Sequence, residues 1–172
     1  MLALLEAFFR ILTRRLGPED LPDSQFLLSL TLGAYMVVQV PAATIVYGSG
    51  AAAFLAIVVD TALLALCCWV LLTVTSLLPR LRRTLTALFG TGALLALPQA
   101  PLVYFSRAAT AAGESPVVAT VGLLALLLWS VIVQAHILSH ALSRSFVVGL
   151  AVALAYFFLS FQVSGHFAPL SG

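Results

Sequence analysis

Charge is scarce in this sequence, and lysine is absent. Only 8% of the 172 residues are charged, and all eight basic residues are arginine. With 62% hydrophobic residues and a mean hydropathy of +1.14, the chain lies far outside the composition of soluble globular domains. This composition excludes a soluble catalytic or nucleic-acid-binding domain, and the lack of lysine excludes a Ser–Lys catalytic pair.

Cysteine is almost as scarce. The two thiols, Cys67 and Cys68, are adjacent within an apolar run. Neighbouring side chains on a helix diverge by about 100°, so a bond between them would need a distorted backbone. No thiol set has metal-ligand spacing, and nucleotide-binding, zinc-protease and GxSxG motifs are missing. We therefore expect a protein that is not an enzyme, carries no cofactor and binds no nucleic acid.

Long apolar runs make up most of what is present. A bilayer core takes about 20 apolar residues per helical pass, and short polar breaks separate five such runs. The sequence predicts an all-α, polytopic membrane helix bundle with five transmembrane helices. Their predicted ranges are 26–47, 51–78, 84–105, 117–139 and 146–163.

The N-terminal segment 1–17 has a different, amphipathic pattern. It predicts an interfacial helix on the membrane surface, with Arg10, Arg14 and Arg15 contacting lipid headgroups. The alternative is that this segment is simply the first helix of the bundle. The predicted organisation is an interfacial helix at 1–17, a linker at 18–25, a five-helix bundle at 26–164 and an outer tail at 165–172. The apolar face of the predicted N-terminal helix is formed by Leu5, Phe8, Phe9, Leu12 and Leu16.

The arginines predict the orientation in the membrane. With five passes, seven of the eight fall on one side and only Arg107 on the other. The positive-inside rule then places the N-terminus in the cytoplasm and the C-terminus outside. The lysine-free, Ala- and Leu-rich composition favours a bacterial inner membrane as the location.

Asp60 is an acid in the middle of the second predicted pass. It lies about 14 Å below the outer surface, close to the midplane, where an ionised and unpaired carboxylate would cost several kcal/mol. Gln39 and Gln99 on neighbouring passes lie one or two turns nearer the outer face. We expect these three to form a polar intramembrane layer that clamps helices together. Two alternatives remain open: a proton or ion relay, and a contact with a partner's transmembrane helix.

Two short patterns concern helix shape and packing. Pro98 and Pro101 remove two backbone donors, so we expect the third pass to kink or end near Gln99. Gly149 and Ala153 have the small-xxx-small spacing that lets membrane helices approach closely.

His136 and His140 lie one turn apart on the fourth pass and are weak candidates for a metal site. Spacing of i, i+4 suits a metal only with a third ligand, and no acid or thiol is placed nearby in sequence. Both histidines lie near the predicted cytoplasmic interface.

The overall layout resembles bacterial relatives of the Ypt-interacting-protein (YIP) family. The resemblance covers most of the chain from Arg14 to Gln162. It rests on the short lead-in, five closely spaced passes, the basic "RLRR" turn and the proline-bearing outer half of the third pass. It implies a non-enzymatic membrane scaffold or assembly protein. Because catalytic patterns are missing from a chain that is almost all membrane, we expect a scaffold or accessory subunit that packs with itself or with a larger membrane complex. The alternative function is a small transporter or channel that uses Asp60 as an ion or proton site.

Overall fold

The computed structural model describes residues 2–48 and 50–165, and these residues form six α-helices. The last five helices, α2 to α6, are long and apolar enough to cross a bilayer, which confirms the predicted all-α membrane bundle. Apart from Gly165, the predicted outer tail lies outside the described residues. The helices are α1 (Leu2–Leu12), α2 (Gln25–Tyr47), α3 (Gly50–Val74), α4 (Leu81–Ala111), α5 (Val117–Leu142) and α6 (Phe146–Gly165).

Short capping signals set the ends of the membrane helices. The Ser24 side chain accepts a hydrogen bond from the Leu27 N–H at 3.3 Å and begins α2. Gly48, with φ of 74°, ends α2 in the left-handed conformation that glycine adopts without strain. Helix α3 ends one turn before the predicted Leu78, and a 3-10 turn at Leu78–Arg80 leads into α4.

Helix α4 runs unbroken through its two prolines for 31 residues. The helix therefore does not end near Gln99, and the alternative expectation, a kink at Pro98 and Pro101, stays a prediction. Pro98 and Pro101 are exposed, whereas Ala96 and Val103 on either side of them are buried against the bundle. Packing before and after the two missing donors keeps the helix continuous, as neighbouring helices allow in membrane proteins.

Helix α4 is the centre of the bundle. It packs mainly against α2 and α5, while α6 packs on α5 and α3 packs on α2. The contacts of α3 with α4 and α6 are sparse by comparison. Every residue in the stretch 84–91 of α4 is buried, because α1 also covers this end of the helix.

Helix α1 docks into the bundle rather than presenting its whole apolar face to lipid. Phe8, Ile11 and Leu12 are buried, whereas Leu5 and Phe9 remain 45% and 57% exposed. Part of the predicted apolar face is thus buried against the bundle, and the rest is exposed. The docking is possible because Gly90 has no side chain: a Cβ there would overlap the Phe8 ring.

Candidate functional site: the Asp60 cluster and the amide groove

Asp60 accepts hydrogen bonds from three hydroxyl groups on two other helices. Tyr35 Oη on α2 donates to Oδ2 at 3.2 Å. On α6, Tyr156 Oη and Ser160 Oγ donate to Oδ1 at 3.0 Å and 2.6 Å. Both carboxylate oxygens are therefore bound, which compensates for the loss of water at this depth. We call these four residues the Asp60 cluster.

The helix geometry explains how the donors converge. Tyr156 and Ser160 are four residues apart, so they lie on one face of α6, one turn above the other. That face meets α3 where the two helices have few other contacts. Hydrogen bonds therefore replace van der Waals packing as the link between α3 and α6.

The Tyr35 ring packs against α4 at Gly92, a position without a side chain. The ring lies 5.3 Å from the ring of Phe89, measured between centroids. A Cβ on Gly92 would lie 2.7 Å from Tyr35 Cε2, so any larger residue would push the ring aside. The bare backbone at Gly92 thus positions the hydroxyl that reaches Asp60.

Tyr35 also lies on the wall of a groove of about 430 Å³ between α2, α4 and α5. Three glutamine amides line it, Gln39, Gln99 and Gln134. The groove opens to the outside of the bundle, because Gln99 and Thr120 on its rim are exposed. We call it the amide groove.

One polar atom in the amide groove is buried without a partner. Gln39 Nε2 lies beside the Tyr35 hydroxyl, but no acceptor among the described residues meets hydrogen-bond geometry with it. A buried amide N–H that lacks an acceptor costs roughly 1–3 kcal/mol. This atom therefore marks a place where an occupant with an acceptor would be stabilising.

In the structure, Asp60 and Gln39 both lie beside Tyr35 but are not joined to each other by a hydrogen bond. Gln39 and Gln99 line the amide groove, and no hydrogen bond joins either of them to Asp60 within residues 2–48 and 50–165. Thr61, adjacent to Asp60, donates instead to the Ile57 carbonyl of its own helix at 2.7 Å. Hydroxyls, not amides, satisfy the acid.

Sequence reasoning missed Tyr35, Tyr156 and Ser160. A usable signal was present in the depths of Asp60 and Ser160. Asp60 lies about four turns from the Val74 end of α3, and Ser160 lies about four turns after Phe146, at the same end of the bundle. Equal distances along antiparallel helices give equal depths, so the two side chains lie at one level. The backbones of the two tyrosines lie at a different depth in the bundle from Asp60. Their long side chains span that difference and bring the hydroxyl groups to the carboxylate.

The small residues of α6 lie at a close helix contact. A Cβ on Gly149 would overlap the Ala135 carbonyl oxygen and approach the Ser139 nitrogen to 2.8 Å, so the α5 and α6 backbones nearly touch. Ala153, one turn later, is fully buried. Both residues thus lie where the predicted packing contact needs them.

The two histidines hold the linker against α5. His136 Nε2 donates to the Leu16 carbonyl at 2.9 Å, and His140 Nδ1 donates to Glu19 Oε1 at 2.7 Å. The rings lie edge to face with centroids 4.5 Å apart. Among the described residues, no group of three or more His, Cys, Asp or Glu side chains is arranged to hold a metal ion.

The predicted headgroup arginines occupy different settings. Arg10 pairs with Glu6 on the exposed side of α1 at 2.7 Å. Arg14 lies over the Phe146 ring, 6.0 Å from its centroid, and Arg15 is exposed. All three lie at the end of the bundle where α1 docks, which we call the arginine-rich end.

No protein-family model, curated protein or solved structure matches this chain.

Proposed function

We propose that this protein is a non-enzymatic membrane scaffold or accessory subunit that binds a transmembrane helix of another membrane protein in the amide groove. The unpartnered nitrogen of Gln39 is the observation that carries the proposal. Lipid tails offer no acceptor for it, whereas a polar side chain on a partner helix does.

The shape of the amide groove fits a helix laid along it. Gln134 lies about two turns from the arginine-rich end of α5, and Gln99 lies about five turns from the same end of α4. At 1.5 Å per residue the amides span about 15 Å of depth, which equals about three turns of a membrane helix. The groove therefore offers donors and acceptors to several turns of one partner.

The Asp60 cluster supports the same proposal as an internal clamp. The carboxylate is bound by three hydroxyls, and it does not line either of the two larger cavities. It ties α3 to α2 and α6 and keeps the α2 wall of the groove in place through Tyr35. We extend the proposal to a YIP-like assembly role in a bacterial inner membrane, with the arginine-rich end in the cytoplasm.

Photocrosslinking in native membranes tests the proposal. A photoreactive residue at Leu127, on the wall of the groove, should crosslink a discrete polypeptide. The same residue at Phe158, an exposed site on α6, should not. The crosslink should be lost with Gln39→Leu and kept with Gln162→Leu, since Gln162 is an exposed amide outside the groove.

Other occupants would appear as other products. Adducts to lipid alone, or a polypeptide adduct that Gln39→Leu leaves unchanged, would contradict a partner helix in the groove. A product at twice the mass of the chain would identify the partner as a second copy.

A small transporter is the second candidate. The observation that favours it is that Tyr35 belongs to both the Asp60 cluster and the wall of the amide groove, which connects the acid to a cavity through one hydroxyl. Proton or ion flux into proteoliposomes tests it, with Asp60→Asn and Tyr35→Phe as variants. Flux that is absent, or that both variants leave unchanged, removes this candidate.

A further inference from the structure

A larger cavity, of about 700 Å³, lies at the arginine-rich end of the bundle. It is bounded by the linker after α1, the start of α4, the end of α5 and the start of α6. Three arginines line it, Arg80, Arg83 and Arg144, together with the carboxylate of Glu19. We call it the arginine cavity.

The carboxylates near this cavity are already engaged. Glu19 accepts a hydrogen bond from His140, Asp23 pairs with Arg82 at 3.3 Å, and Asp20 accepts the Gly17 N–H at 2.8 Å. Within the described residues, no carboxylate forms a salt bridge with any of the three cavity arginines. The cavity therefore carries a surplus of positive charge.

Two of the arginines are held on the wall by neutral groups, and Arg80 Nη1 also donates to Ser143 Oγ at 2.5 Å. Arg80 Nη1 donates to the Ala141 carbonyl at 3.0 Å, at the C-terminus of α5, where a cation also complements the helix dipole. Arg83 Nη1 donates to the Glu19 carbonyl at 3.4 Å. These contacts fix the guanidinium groups without neutralising them.

Arg144 is the least engaged of the three. It has no hydrogen bond or salt bridge with any side chain in the part of the chain that the structure describes. It lies just after the C-cap of α5 and is exposed. Arg144 is thus free to close on an anion that enters the cavity.

We propose that the arginine cavity binds a phosphate group. Guanidinium forks match the geometry of phosphate oxygens and bind them by charge-assisted, often bidentate hydrogen bonds. Basic pockets between transmembrane helices at the end of a bundle recognise anionic lipid headgroups by this chemistry. The phosphate comes either from the headgroup of an anionic lipid or from a soluble phosphate compound. The site is independent of the amide groove and of any partner helix.

The experiment measures two ligands on the full-length protein. Native mass spectrometry from nanodiscs compares retention of phosphatidylglycerol with that of phosphatidylcholine. Thermal unfolding in neutral detergent compares inorganic phosphate with chloride at equal ionic strength. The variant is Arg144→Gln, and the matched control is Arg107→Gln, which removes the same charge at the opposite end of the bundle, beside the Val46 carbonyl.

We expect Arg144→Gln to weaken binding about tenfold and Arg107→Gln to leave it unchanged. An effect on phosphatidylglycerol alone identifies a lipid headgroup, and an effect of inorganic phosphate identifies a soluble ligand. Both results support a phosphate site in the cavity. Equal binding by the wild type and Arg144→Gln, or an equal loss in both variants, would overturn the proposal.

A variant that tightens binding guards against a folding artefact. Glu19→Gln removes the only carboxylate that the described residues place on the cavity wall, and the glutamine side-chain oxygen still accepts from His140. We expect binding about two- to fivefold tighter than in the wild type, because a like charge no longer opposes the phosphate. A misfolded protein does not bind more tightly, so unchanged or weaker binding in a folded Glu19→Gln protein would count against the proposal.

Discussion

At the scale of single residues, Asp60 shows how a carboxylate is accommodated inside an apolar bundle. It lies about three turns into α3, roughly 15 Å from the helix start and close to the bilayer midplane. No arginine bonds to it among the described residues, and neutral hydroxyls take that place. The Asp60 carboxylate thus links α3, on which it lies, to α2 and α6.

Replacing Asp60 tests the clamp. We expect Asp60→Leu to lower the free energy of unfolding by about 2 kcal/mol, since three membrane hydrogen bonds of about 0.6 kcal/mol each are lost. Asp60→Asn keeps one oxygen acceptor and should cost less. Thermal unfolding in mild detergent measures both, with Gln162→Leu as a control at an exposed amide. An Asp60→Leu protein as stable as the wild type would contradict the clamp.

Ser160→Ala tests whether the cluster acts as one unit. It should cost about 0.6 kcal/mol in the wild type and almost nothing in the Asp60→Leu background, because the acceptor is already gone. Ser164→Ala, one turn further along α6, is the control and should add its effect independently. Full additivity of Ser160→Ala with Asp60→Leu would show that the 2.6 Å contact does not stabilise the fold.

At the scale of helices, the bundle depends on a few positions without side chains. Gly90 admits Phe8, Gly92 seats Tyr35, and Gly149 brings α6 onto the α5 backbone. Gly33 on α2 is different, since a Cβ there would meet nothing within 4 Å. Glycine in this bundle therefore has two separable effects. At Gly90, Gly92 and Gly149 it lets a neighbouring group pack closely, whereas at Gly33 it only lowers the helix propensity.

Paired alanine substitutions distinguish these effects. Gly33→Ala should be neutral or stabilising by up to about 1 kcal/mol, the gain in helix propensity. Gly149→Ala should destabilise by about 1–3 kcal/mol, because the new methyl group forces two packed backbones apart. Thermal unfolding of the two variants gives the comparison. Equal stability of the two variants would contradict the close α5–α6 contact.

The docking of α1 can be tested in the same way. Phe8→Ala should leave a cavity over Gly90, cost about 3 kcal/mol and release α1. Trypsin in mild detergent should then cleave faster at Arg14 and Arg15. Phe9→Ala, at the exposed neighbour, should leave the rate near that of the wild type. If both variants are cleaved alike, α1 is held by something other than the Phe8 contact.

At the scale of the whole molecule, positive charge is concentrated at one end of the bundle. Contacts bring Arg14, Arg80, Arg82, Arg83 and Arg144 together around the linker and the helix ends beside it. Arg107 lies at the opposite end and donates to the Val46 carbonyl at 3.4 Å. This asymmetry is the physical basis for the predicted orientation.

Cysteine labelling in intact cells tests that orientation. In a background where Cys67 and Cys68 are replaced by alanine, Ser115→Cys lies between α4 and α5, and Ser145→Cys lies between α5 and α6. We expect a membrane-impermeant maleimide to label Ser115→Cys directly and Ser145→Cys only after the membrane is permeabilised. The reverse pattern would invert the topology.

The membrane class, the number of passes and most helix boundaries follow from the amino-acid sequence without any structure. Two of the helices begin at the predicted residues, Val117 and Phe146. Length and hydropathy are properties of each segment by itself. They can therefore be determined without knowing which residues are neighbours in the folded protein. The sequence also singles out Asp60 by the cost of an acid at that depth.

Which residues meet is a property of the folded bundle alone. The membrane helices are apolar around most of their circumference, so the sequence does not mark the inward face. One residue turns a helical position by about 100°, and helix rotation thus decides whether Asp60 meets an amide or a hydroxyl. Packing placed Tyr35, Tyr156 and Ser160 on the acid, left Gln39 in a groove, and carried α4 through Pro98 and Pro101.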